Sequence, residues 1–112
     1  MRSPEASVRA YWQAVSAGQY EIAWGMLSAN FRWTTHHNDF ADYKQRYLDM
    51  ALCDVAPNAL ETIMSAEDYA LVYARVVYHK DSACAVSSLD LAFHLAPDPV
   101  RGLWLIDRVD LR

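Results

Sequence analysis

Glycine is scarce in this 112-residue chain: Gly18, Gly25 and Gly102 are its only glycines. They stand too far apart for a phosphate-cradling loop, and neither a nucleophile elbow nor an HExxH motif occurs, so nucleotide-driven chemistry is disfavoured. Lysine is nearly absent too. Lys44 and Lys80 accompany eight arginines, and these ten basic residues face fourteen acidic ones for a formal charge of −4 and a pI near 5.4. The charges are scattered, so no basic stripe is present to displace counterions from phosphates, and nucleic-acid binding is not expected. No long apolar run follows Met1-Arg2-Ser3-Pro4-Glu5, and without one neither a secretion signal nor membrane insertion is expected. The reading is a soluble chain, cytoplasmic if complete and extracytoplasmic if excised from a membrane-attached protein. Cys53 and Cys84 lack CxxC spacing and are too few for a disulfide framework. Two half-buried thiols are expected, with one cross-strand disulfide as the alternative.

Apolar residues are plentiful, at 54% of the chain with 12% aromatic. That is enough to offset the entropy of ordering one domain spanning residues 1–112. The first half carries helical period. Ser3 suits an N-cap with Pro4 and Glu5 in the first turn, and Val8, Tyr11, Trp12 and Val15 share a face that ends at Gly18. Tyr20, Ala23, Trp24 and Leu27 predict a second, short helix ending near Ser28 to Asn30. Residues 31–38 are irregular, with Phe31 and Trp33 expected to anchor a loop or short strand on the core. Asn38 or Asp39 then caps a third helix containing Phe40, Tyr43, Tyr47 and Met50.

From Leu60 onward the period changes to that of strands. Runs at about 59–65, 69–79, 85–96 and 102–111 are separated by connections too short for crossover helices, so an antiparallel meander is expected. Pro57 is expected to close a separate short strand over 52–56. In the longest run both faces are largely apolar, which predicts helices on one face and a second covering, such as a second subunit, on the other. The fold class is therefore α+β.

The stretch from Val8 to Ser28, VRAYWQAVSAGQYEIAWGMLS, resembles the opening of nuclear transport factor 2-like domains. The ending Gly102-Leu103-Trp104-Leu105-Ile106-Asp107 is similar to their last strand, and the order of elements extends the likeness over nearly the whole chain. The resemblance implies a cone of three N-terminal helices packed on a strongly bent antiparallel sheet, with an internal cavity between the first helix, the third helix and the concave sheet face. That superfamily includes ketosteroid isomerase, SnoaL-type polyketide cyclases, dehydratases, transport factors and noncatalytic modules. Among these the chain looks most like bacterial accessory domains. Such a fold supplies a cavity without dictating its chemistry.

The expected ligand-binding residues are Tyr11, Val15, Tyr43, Tyr47, Tyr73 and Trp104. Asp90, His94 and Asp107 are candidates for acid–base work, His94 because it shares a strand face with Asp90. No metal site is expected. Adjacent His36 and His37 on an extended chain point apart, and a helix cap explains His36-His37-Asn38-Asp39 more simply. Trp24, Trp33 and Trp104 read as core or interface anchors. No cofactor is expected. The function expected is a noncatalytic small-ligand-binding or protein-assembly module, homodimeric through its sheet face, that takes a small hydrophobic ligand or a neighbouring domain or protein as partner. The alternative is a cofactor-independent isomerase, cyclase or dehydratase.

Overall fold

The computed structural model of the chain describes residues 2–112. Four helices, α1 (Pro4–Ser16), α2 (Tyr20–Trp24), α3 (Ala29–His36) and α4 (Phe40–Asp49), precede four strands, β1 (Leu52–Ser65), β2 (Ala70–Lys80), β3 (Ala85–Asp98) and β4 (Leu103–Leu111). The strands pair antiparallel in the order β1-β2-β3-β4, which is the expected meander in an α+β fold. Ser3 caps α1 by accepting from the Ala6 N–H, and Asp39 caps α4 by accepting from those of Ala41 and Asp42. Gly18, at φ 72°, ends α1 in the left-handed conformation that glycine adopts without strain. No helix is long and apolar enough to cross a membrane among the described residues.

Three expectations need correction. Residues 31–38 are largely helical: Ser28, read as the end of the second helix, instead caps α3 through the Phe31 N–H, and His37 closes it at φ 52°. There are thus four helices where three were expected, and Trp33 projects from α3 with 61% of its surface exposed instead of anchoring the core. Pro57 does not end a strand. It pairs with Val76 inside a continuous β1, because β1 is an edge strand and a missing donor on its free side costs no ladder bond. The cysteines are not free: Cys53 and Cys84 form a disulfide across a Cα–Cα distance of 5.8 Å. Leu52 pairs with Lys80, so the start of β1 lies beside the turn between β2 and β3 that carries Cys84.

Alternation sorts the sheet into two faces. Ala70, Val72, Ala74 and Val76 on β2, with Leu91, Phe93 and Leu95 on β3, are buried in one cluster with Val8, Tyr11 and Val15 of α1. Leu71, Tyr73, Arg75 and Val77 lie on the outer face. Irregularities in register at three places along β1, and between His94 and Leu95 of β3, bend the strands over the helices.

The sheet is open, and α1 closes the gap between its two edges. The Glu5 carboxylate accepts from the Thr62 N–H of β1 at 2.9 Å, while the Ser7 hydroxyl accepts from the Trp104 N–H of β4 at 3.1 Å. Farther along β4 the Ile106 N–H donates to the Met26 carbonyl, and the Ser28 N–H donates to the Ile106 carbonyl. Edge groups that would otherwise invite another strand are thereby occupied.

Candidate functional site

A pocket of about 280 Å³ lies between α1, α3, α4 and the inner sheet face. Its walls are Tyr11 and Trp12 of α1, Phe31 and His36 of α3, Tyr43, Arg46, Tyr47 and Met50 of α4, and Leu52, Val55, Val76, Tyr78, Leu89 and Leu91 of the sheet. The α4 contribution follows from helical geometry, since positions 43, 46, 47 and 50 fall on one face. For scale, an engineered apolar cavity of about 150 Å³ accommodates benzene.

The polar feature of this wall is a cluster of phenols. The Tyr11 hydroxyl hydrogen-bonds that of Tyr43 at 2.8 Å and that of Tyr47 at 2.8 Å. Three hydroxyl protons serve two bonds, so the cluster retains one donor in any arrangement. Burial, reinforced by the neighbouring phenols, pushes the Tyr11 hydroxyl well above its ordinary value. Burial likewise raises Tyr43, and it raises Tyr47 against the lowering effect of the hydrogen bond to Tyr11. All three are neutral donors at physiological pH.

His36 is buried against Phe31, Trp24 and Tyr43, and its Nδ1 lies 3.3 Å from an Asp42 carboxylate oxygen. Burial pushes the imidazole below its ordinary 6.5; the Asp42 hydrogen bond opposes this and the Arg46 charge adds to it. A depressed value means that the unfolded chain takes up a proton first. His36 therefore contributes stability above about pH 6.5 that is lost as pH falls through its folded value. Urea unfolding at about pH 7 and pH 5 should show that loss, and His36→Phe should flatten it. An unchanged slope in the variant would assign the pH dependence to other groups.

Of the expected ligand-binding residues, Tyr11, Tyr43 and Tyr47 are brought together in the wall. Val15 and Trp104 are buried in the core away from the lining. Tyr73 faces outward under the Arg112 guanidinium, 3.9 Å from its ring centre. The acid–base candidates also stand apart from the pocket. Asp90 is paired with Arg75 at 2.8 Å on the exposed outer face, and that hydrogen bond holds its carboxyl below the usual range. Asp107 accepts from the Ser28 hydroxyl at 2.6 Å. His94 lies on the outer face, bonded through Nδ1 to the Tyr69 hydroxyl at 2.7 Å and through Nε2 to Asp110 at 3.0 Å, so its carboxylate partner is Asp110 and not Asp90. Among the described residues no group of three or more potential metal ligands occurs.

Sequence reasoning missed His36, Arg46 and the Leu52, Val55 and Tyr78 wall. The spacing of Arg46 from Tyr43 was a usable signal, whereas no local pattern places β1 opposite α4.

Helices packed on one face of an open antiparallel meander, with a pocket between α1, α3, α4 and the inner sheet face, are consistent with the nuclear transport factor 2-like fold. Accordingly, the chain superposes on a ketosteroid isomerase-like protein from Erwinia carotovora atroseptica with a TM-score of 0.64, covering 95% of this chain and 89% of that one. Sequence identity is 15%, and the likeness is one of fold. No family model matches the sequence, and neither does any curated protein.

Proposed function

We propose that this chain is a noncatalytic module that binds a small, largely apolar molecule carrying a hydrogen-bond acceptor. The observation that carries this reading is the composition of the pocket wall. Phenol hydroxyls there bond one another and keep one spare donor, while no carboxylate, thiol or lysine joins them. Such a wall desolvates an apolar body and orients it by one hydrogen bond. The test is calorimetric titration with 2-naphthol. Leu89→Trp, which fills the pocket from a position that is 41% exposed, should weaken binding at least about tenfold. Equal binding by wild type and variant would place the ligand elsewhere.

The isomerase, cyclase or dehydratase reading has one observation in its favour, the spare phenolic proton, which suits a carbonyl oxygen that gains charge. It also requires a base within reach of the substrate; the carboxylate candidates lie outside the pocket wall, and the His36 imidazole in that wall is buried with its Nδ1 against Asp42. Isomerisation of a β,γ-unsaturated ketone by the protein would restore it.

The outer sheet face is proposed to pair with a second copy of the chain. Support comes from Leu71, Tyr73 and Val77 on that face and from the occupied sheet edges, which leave the face as the broad surface open to association. Sedimentation equilibrium showing a monomer throughout the micromolar range would overturn this pairing.

A further inference from the structure

Arg46 is the permanently charged side chain in the pocket wall. It belongs to the α4 stripe of Tyr43, Tyr47 and Met50, yet 57% of its side chain is exposed, which puts its guanidinium at the rim. The Nε forms a 3.1 Å ion pair with Asp42, one turn earlier, whose carboxylate also lies against His36. The contact of the guanidinium with Asp42 is through Nε, which leaves the two terminal nitrogens for a ligand. The terminal pair of a guanidinium forms a planar fork, and such a fork matches the two oxygens of a carboxylate. The remaining wall is aromatic and aliphatic, and the Asp42 carboxylate beside it is paired with Arg46 and competes with an incoming anion for that charge.

We propose that the ligand is an amphipathic monoanion. Its body, roughly two fused rings in size, lies against Tyr11, Val76 and Leu91, and its carboxylate engages the terminal nitrogens of Arg46 at the rim. This inference rests on the reading of the pocket as a ligand site and adds the charge of the ligand to it.

Two probes of nearly equal shape, 2-naphthoate and 2-naphthamide, differ in that charge. Titrated into the purified protein at neutral pH, the carboxylate is expected to bind about tenfold more tightly than the amide. In Arg46→Met the ratio of the two affinities should fall to about one. In Asp42→Asn, which removes the competing carboxylate, the ratio should rise above its wild-type value, a change that loss of fold does not produce. A wild-type ratio near one that neither substitution moves would overturn the inference and leave the pocket reading standing. Failure of both probes to bind wild-type protein would overturn the two together.

Discussion

Replacing both cysteines, as Cys53→Ser with Cys84→Ser, is expected to lower the free energy of unfolding by about 3–4 kcal/mol. The bond joins positions 31 residues apart and encloses nearly all of β1 and β2, so it removes a large share of the freedom of the unfolded chain. Both cysteines are exposed, and the substitution sacrifices little native packing. The effect should therefore appear as a fall of about 1 M or more in the urea midpoint. The same corner carries Met50 and Leu52 of the pocket wall, and the Asp81 N–H donates to the Ala51 carbonyl within it at 3.0 Å. A loss below about 1 kcal/mol would mean that this backbone contact holds the corner without the disulfide. Reduction of the wild-type protein should reproduce the shift of the double variant.

Phe93→Ala is expected to cost about 3–5 kcal/mol, a large part of the stability of a domain this size. Phe93 has no exposed surface, sits opposite Val72 and Val109 in the sheet, and meets Trp12 edge-on with ring centres 6.2 Å apart. Two strands and α1 converge on it, so the surroundings have little freedom to collapse into the space left behind. Trp12 is also a pocket wall residue. Loss of Phe93 should consequently loosen the site, and ligand affinity should fall in those molecules that remain folded. Phe93→Leu keeps most of the apolar volume and should recover more than half of the loss in a denaturant titration. Equal losses in the two variants would show that ring geometry, not volume, dominates at this position.

The helices were legible where side chains cap them. Ser3 and Asp39 announce α1 and α4 because a short polar side chain before an apolar stripe has few other local uses. The helix α3 was hidden for the same reason, since Ser28 followed a helical stripe and read as a stop while it serves as a start. The strands were legible from period two, but the extent of β1 was not, because Pro57 is tolerated only by virtue of an edge position that the local sequence does not disclose. The three phenols of the pocket followed from the helix stripes of α1 and α4. Tyr73 could be given an alternation but not a direction, because both faces of β2 are apolar, whereas on β3 the Leu91, Phe93 and Leu95 side is the richer in large apolar residues and turns His94 outward. The disulfide was beyond local reading, since it depends on the pairing of β1 with β2.

Ring resonances of the tyrosines offer the most direct measurement of the central claim, that the pocket between α1, α4 and the sheet is a ligand site. On titration with 2-naphthoate, the resonances of Tyr11, Tyr43 and Tyr47 should shift together and saturate, while those of Tyr69 and Tyr73 on the outer face stay in place. Shifts confined to Tyr69 and Tyr73, or an unchanged spectrum at saturating probe, would contradict it.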